Sequence, residues 1–276
     1  MNGKMMQVKP YEELEFKDDF MFGKVMQDLN LCRDVVECLL QRPVGELTEA
    51  VPQREFRYTS DGKPIRLDIY TRDEDEVYDA EIQNLNNKTV ASLELPKRTR
   101  FYQSAIDTDH MNKHGNYRTL PDSTILFICT FDPFGKGLSK YTFRGRCEED
   151  PDIAIDDGAA RVFFNCTYKG DNIPDELRDL YDYIETGKKG NELTERIDAA
   201  VDKARKIEEW RSAYMKEMVL WMDAKEEGRE EQRKNTEAER ERADKEKERA
   251  DKEKERADSA EAIVARYKAQ FGELKD

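Results

Sequence analysis

The chain has few of the residues that usually carry acid–base or metal chemistry. Its 276 residues include only two histidines and five cysteines. The cysteine count is odd and no C-x-x-C pair occurs, which argues against a disulfide framework and a structural zinc site. The H-E-x-x-H, G-x-S-x-G, G-x-x-x-x-G-K-[ST] and G-x-G-x-x-G motifs are also missing. Zinc-protease, serine-hydrolase and nucleotide-binding assignments therefore have no motif to support them.

Long apolar runs are missing too. No stretch approaches the ~20 apolar residues of a membrane span, and the first residues lack the hydrophobic region of a secretion signal. These two absences predict a cytoplasmic protein without a membrane partner.

Charge, in contrast, is abundant. Charged residues make up 39% of the chain, and the formal net charge is −14. The acidity belongs mainly to residues 1–228, because the charge-rich stretch beyond them is nearly balanced. Such a chain is not a basic protein that coats nucleic acid. If it binds a polyanion, it must use a local basic patch, a metal site or both.

Composition and periodicity divide the chain into three parts. Mixed strand and helix patterns over residues 1–172 predict an α/β core with a central mixed sheet flanked by helices. Apolar stripes at helical spacing predict a helical subdomain over residues 173–228. Residues 229–276 follow with the charged heptad E-R-A-D-K-E-K, which has one regular alanine per repeat where a stable coiled coil has two large apolar residues. A charged helical spacer, a weak coiled coil and a solvated, partly disordered tail all stay open.

Local patterns predict several elements of the core. Helices are expected at residues 18–29 and 95–111, the second with Pro96 in its first turn, and Asn30 is expected to cap a further helix. The apolar run 123–129 predicts a central strand that is covered on both faces.

An acidic hairpin is the most informative feature of the core. Residues 65–70 and 77–83 alternate apolar and polar side chains, the pattern of half-buried strands, and the loop at 73–76 can join them. That register sets Asp68 opposite Glu81 on the polar face.

Opposed residues in an antiparallel pair lie with Cβ atoms roughly 4.5–5.5 Å apart, where like charges destabilise a hairpin. A divalent cation would neutralise them, since Mg²⁺ uses one or two carboxylates with water and phosphate oxygens. A solvated polar face would account for the same alternation, and so would a register shifted by two residues that pairs opposite charges.

At this point the chain resembles the PD-(D/E)XK nuclease superfamily. More narrowly, it resembles the recombination-promoting nuclease / putative transposase family of bacteria, over about residues 15–225, and a charge-rich helical extension is common in that family. The stretches that carry the resemblance are, in order, 17–24, 66–70 with 78–83, 98–104, and 125–128 with 131–134.

The resemblance implies a restriction-endonuclease-like fold and a metal-dependent site. Asp68 and Glu81 would bind Mg²⁺ or Mn²⁺ with the carbonyl of Ile82, and Asp19 is a further candidate ligand. Gln83 would be the third catalytic residue. It stands where the wider superfamily usually has lysine, and a neutral amide can orient water but cannot deprotonate it.

The resemblance also implies a substrate and contacts to it. Arg98, Arg100 and Gln103 would reach a DNA phosphate, although helix capping or surface pairing would equally account for these residues and for Asp19. The first functional hypothesis is an endonuclease that hydrolyses phosphodiester bonds in DNA. The alternative is a catalytically degenerate nuclease fold that acts as a binding or assembly module, joining a second copy or a partner protein through its C-terminal helices.

Overall fold

The chain folds as an α/β core followed by a long helix. The computed structural model describes residues 9–56, 65–84 and 88–272. The strands in this part are β1 (Glu49–Phe56), β2 (Ile65–Arg72), β3 (Glu76–Gln83), β4 (Asp122–Cys129), β5 (Lys140–Phe143) and β6 (Ala159–Asn165). The helices are α1 (Asp19–Val25), α2 (Leu29–Leu40), α3 (Lys88–His114), α4 (Asp175–Thr186), α5 (Glu192–Ala204) and α6 (Glu208–Phe271).

The strands form one mixed sheet in the order β1-β2-β3-β4-β6-β5. Strands β1, β2 and β3 are antiparallel neighbours, whereas β3, β4 and β6 are parallel and β5 is antiparallel to β6. The parallel step from β3 to β4 requires a crossover, and α3 provides it. The predicted α/β core with a mixed sheet flanked by helices is confirmed.

Aromatic packing holds α3 against the sheet. The ring of Phe127 on β4 stacks on Tyr102 of α3 at 6.3 Å between centroids and on Phe163 of β6 at 5.5 Å. Alternate residues of β4 are buried on both sides of the sheet, so this strand is central and covered on both faces, as predicted.

The prediction of a half-buried hairpin was wrong. Asp79, Glu81 and Gln83 are buried, because the sheet face that carries them belongs to the core that α3 covers. The helix is also longer than predicted and begins at Lys88. Pro96 therefore lies inside α3, where it is exposed, and its missing N–H costs a hydrogen bond without ending the helix.

The predicted helix 18–29 ends early, at Val25. The cap of the next helix is Asp28 and not Asn30, because the Asp28 carboxylate accepts hydrogen bonds from the N–H groups of Asn30 and Leu31.

The helices α4 and α5 pack with α1 and α2 in the same compact unit as the sheet, and this unit extends to Tyr214. The Tyr214 ring packs on Tyr11 and Phe20 within it. A second unit begins at Met215, and its charged heptads are helical and exposed. None of the helices described combines the length and apolar composition needed to cross a bilayer.

Candidate metal centre

Strands β2 and β3 separate at the predicted acidic pair. They pair in the predicted register from Arg72 with Val77 to Ile69 with Ala80, and the described pairing ends there. The next position in that register holds Asp68 and Glu81.

The two carboxylates replace the missing ladder bonds. The backbone N–H of Asp68 donates to Glu81 Oε1 at 2.7 Å, and that of Ile82 donates to Asp68 Oδ2 at 3.1 Å. Buried N–H groups need an acceptor, so each carboxylate does for the opposite strand what a backbone carbonyl would do in a regular sheet. The result is that each carboxylate is held against the backbone of the opposite strand.

Both carboxylates are strongly buried, with 9% of Asp68 and 0% of Glu81 exposed. Burial raises the pKa of Asp68, and the neighbouring charges of Glu81 and Asp19 raise it further. Burial likewise raises the pKa of Glu81, with a second contribution from Asp79. The site therefore holds more negative charge than its surroundings stabilise.

Asp79 is a third buried carboxylate, and it is not among the site residues predicted from the sequence. It is fully buried, and when the neighbouring acids are ionised, no described residue donates a hydrogen bond to either of its oxygens. Burial and the charge of Asp68 raise its pKa, and a proton shared with Glu81 would give it a partner. Its position two residues before Glu81, on the same strand face, was the available signal.

Asp19 is the first residue of α1 and lies close to Asp68. Its Oδ2 is 3.5 Å from Nη2 of Arg66, and its charge contributes to the raised pKa of Asp68. The structure therefore brings this predicted candidate ligand next to the pair.

Arg98 of α3 forms an ion pair with Glu81. Its Nη2 lies 3.1 Å from Glu81 Oε2, and its Nη1 donates to Gln83 Oε1 at 2.9 Å. The amide nitrogen of Gln83 donates to the carbonyl of Ile82 at 2.9 Å. The hydroxyl of Tyr102 accepts hydrogen bonds from Arg98 Nη2 and Nε at 2.7 and 3.2 Å.

The other two predicted phosphate contacts lie elsewhere on α3. Arg100 is exposed, about 200° around the helix from Arg98. Gln103 is buried and donates to Asp107 at 3.1 Å and to the hydroxyl of Ser123. A role in binding phosphate stays a prediction for both residues.

The residues fit a hard divalent cation. Asp68, Glu81 and Asp79 offer carboxylate oxygens, which Mg²⁺ and Mn²⁺ prefer, and the orphaned oxygens of Asp79 mark a deficit of positive charge. Within residues 9–56, 65–84 and 88–272, no three His, Cys, Asp or Glu side chains are already gathered as a metal-binding group. Mg²⁺ is often bound by one or two carboxylates and keeps water or phosphate as further ligands, so two carboxylates would be enough protein ligands for it.

Comparison with known proteins adds no relative. A scan of protein-family models, a search of curated proteins and a search of solved structures each gave no match to this chain. A functional conclusion must therefore come from the geometry of the site.

Proposed function

We propose that the chain is a metal-dependent DNA endonuclease with a restriction-endonuclease-like core, similar to PD-(D/E)XK nucleases. The observation that carries the proposal is the reciprocal hold of Asp68 and Glu81, each bonded to a backbone N–H of the opposite strand. A structural role does not call for two neighbouring buried carboxylates, because their repulsion and desolvation both cost free energy when they are ionised. A bound divalent cation would offset both costs, and this offset would contribute to the binding free energy of the cation.

The order of elements supports the same proposal. A helix with Asp19 precedes the strand pair, α3 with Arg98 follows it, and the buried strand β4 runs parallel to β3. This is the sequence of parts that the resemblance implies for the nuclease core. The association with recombination or mobile elements depends on the resemblance alone.

In the proposed reaction, Asp68 and Glu81 would hold Mg²⁺ or Mn²⁺, together with the carbonyl of Ile82. The ion would supply Lewis acidity for activating water at neutral pH. The water oxygen forms a bond to phosphorus while the bond from phosphorus to the leaving sugar oxygen breaks. The water gives up one proton and the leaving oxygen takes one, which yields a phosphate monoester and an alcohol.

Substrate binding requires positive charge on an acidic chain. Lys97 and Arg100 are exposed on α3 about one turn apart, so they form a local basic patch on the solvent side of this helix. We expect DNA binding to weaken steeply with salt, since phosphate contacts release counterions.

Incubation of the full chain with supercoiled plasmid and Mg²⁺ or Mn²⁺ tests the proposal. Wild type should nick the plasmid, and a chelator should stop it. Asp68→Asn and Glu81→Gln should each lose at least about 100-fold in rate, the size of a lost preorganised contact. Asp109→Asn is the matched control. Asp109 is also a half-buried acid that pairs with an arginine, Arg54 of β1, but it lies on another part of α3 than Arg98. Nicking that survives both site variants, or no nicking with either metal, would refute the proposal.

A second candidate function, a binding or assembly module, is favoured by a different observation. In the unit from Met215 onward, large apolar side chains are exposed: Met215, Val219, Leu220, Trp221 and Met222. If they mediate self-association, sedimentation analysis will show an oligomer that Leu220→Glu with Trp221→Glu converts to monomer. A wild-type monomer at high concentration would count against assembly of identical copies.

A further inference from the structure

Gln83 stands at the position of the superfamily's usual lysine, but both the oxygen and the nitrogen of its side-chain amide already make hydrogen bonds. The amide oxygen accepts from Arg98 Nη1 at 2.9 Å, and the amide nitrogen donates to the carbonyl of Ile82 at 2.9 Å. Only 7% of Gln83 is exposed. The amide therefore cannot turn toward a water or phosphate without breaking a buried hydrogen bond.

The engaged amide fixes the guanidinium of Arg98. Glu81 holds Nη2, Gln83 holds Nη1, and the planar group lies near the rings of Tyr102 and Phe127, at 5.3 and 5.4 Å from the centroids. The Arg98 side chain is still 33% exposed, so these contacts do not enclose it completely. A partly exposed charge that several contacts hold in place is preorganised for a ligand.

We propose that Arg98, positioned by Gln83, supplies the positive charge at the scissile phosphate that a lysine at position 83 would otherwise supply. This inference rests on the proposed nuclease function and names the residue that contacts the substrate. The described hydrogen bonds of Arg98 use Nε, Nη2 and one hydrogen of Nη1, which leaves the second Nη1 hydrogen to donate to a phosphate oxygen. Arginine also keeps its proton at neutral pH, so it stabilises developing charge on the phosphoryl oxygens and does not deprotonate water.

A purely structural role would have Arg98 only neutralise buried Glu81. The two roles differ in what the loss of Arg98 does. A mere counterion becomes dispensable once a divalent cation saturates the site, and its loss removes no phosphate contact. A substrate contact stays necessary at saturating metal, and its loss lowers the salt dependence of DNA binding.

Four variants of the full chain separate the two roles. Arg98→Gln removes the positive charge. Gln83→Leu removes the hydrogen-bond acceptor of Arg98 Nη1 but keeps the guanidinium. Gln83→Lys combined with Arg98→Gln moves the cation to position 83. Arg54→Gln is the matched control: Arg54 also pairs with an acid, Asp109, and stacks on Tyr70 at 3.9 Å. Asp109 lies about 16 Å along α3 from Arg98.

Plasmid cleavage at saturating Mn²⁺ is the first readout. Arg98→Gln should lose at least about 100-fold in kcat and Gln83→Leu about tenfold, whereas Arg54→Gln should stay close to wild type. The double variant should recover at least about tenfold over Arg98→Gln, because a cation returns to the phosphate. Thermal melts and Mn²⁺ titrations accompany each variant, and the Mn²⁺ affinity of Arg98→Gln should not fall. If Arg98→Gln does not fold, Gln83→Leu decides the question.

Binding of a short duplex in Ca²⁺ as a function of salt is the second readout. The slope of log affinity against log salt should decrease by about 0.9 in Arg98→Gln, the value for one lost phosphate contact, and return in the double variant. Cleavage by Arg98→Gln within about threefold of wild type, an unchanged slope, or a folded double variant no faster than Arg98→Gln would each overturn the inference. If wild type does not cleave, the nuclease proposal fails by itself, and the slope still decides whether Arg98 contacts phosphate.

Discussion

Two buried aspartates of the same hairpin should respond in opposite directions to the same substitution. Asp79 is fully buried, and with Glu81 ionised it accepts no hydrogen bond from the part of the chain that the structure describes. Asp73, at the loop end, is almost as deeply buried but accepts several hydrogen bonds. We predict that Asp79→Asn stabilises the metal-free protein at alkaline pH and that Asp73→Asn destabilises it at neutral pH.

The contrast follows from the donors around each carboxylate. Burial alone would raise the pKa of Asp73, but four donors outweigh it and lower the pKa: the N–H groups of Gly45, Asp75 and Glu76 and the hydroxyl of Tyr78. The stabilisation by Asp73 is therefore present above the unfolded pKa, near 3.9, and is lost as pH falls through the lower folded value.

The contribution of Asp79 to stability depends on pH in the opposite direction. Burial and the charge of Asp68 raise its pKa, so the folded state binds this proton more tightly than the unfolded state does. Stability is then greatest at low pH and declines as pH rises from about 4 through the folded pKa of Asp79. Asparagine cannot ionise, so the advantage of Asp79→Asn should grow as pH increases.

The expected sizes are measurable. Loss of the charge-assisted bonds of Asp73 should cost about 1.5–3 kcal/mol, and relief of an unsatisfied buried group at Asp79 should return about 1–3 kcal/mol. Each kcal/mol corresponds to a shift of roughly 2–4 °C in Tm for a unit of this size.

Thermal melts in a chelator, from pH 5 to pH 9, provide the assay. The difference in Tm between Asp79→Asn and wild type should be small at pH 5 and positive at pH 9, while Asp73→Asn should melt lower than wild type at pH 7. A loss of stability in Asp79→Asn at every pH would show that Asp79 has a donor after all, and the argument from its orphaned oxygens would be wrong.

Three further predictions concern metal linkage, a helix cap and the tail. Mg²⁺ should stabilise wild type by up to ~2.7 kcal/mol at 100 times its Kd but should not stabilise Asp68→Asn, as differential scanning calorimetry would show; equal stabilisation of both would place the ion elsewhere. Asp28→Ala should cost about 1 kcal/mol in denaturant melts and Asn30→Ala much less, because Asp28 accepts the first N–H groups of α2; equal costs would contradict the cap assignment. The circular dichroism difference between the full chain and a chain ending at Gly228 should show helix for residues 229–271, weaker at high salt as pairs like those in the heptads are screened; a coil spectrum at low salt would exclude a helical tail.

The sequence predicts the acidic pair well because strand periodicity is local. Alternation along residues 65–70 and 77–83 places Asp68 and Glu81 on one face, and a short loop leaves few registers to choose from. The apolar run of β4 is equally direct, since a strand covered on both faces has no polar period.

What covers that face is a tertiary property, and local patterns do not report it. Polar residues at alternate positions look solvated in sequence, yet α3 buries Asp79, Glu81 and Gln83. The contact between Gln83 and Arg98 joins residues 15 positions apart on different elements. Neither a glutamine nor an arginine in a sequence indicates such a partner. The hydrogen bonds of Gln83 could therefore be recognised only from the structure.

The proposed nuclease chemistry depends on a divalent cation that Asp68 and Glu81 bind together. The most direct test is a crystal of the full chain soaked in Mn²⁺, with anomalous scattering used to locate the ion. We predict an anomalous peak with ligand distances of about 2 Å to a carboxylate oxygen of each residue. An empty position between Asp68 and Glu81 at saturating Mn²⁺ would contradict the account.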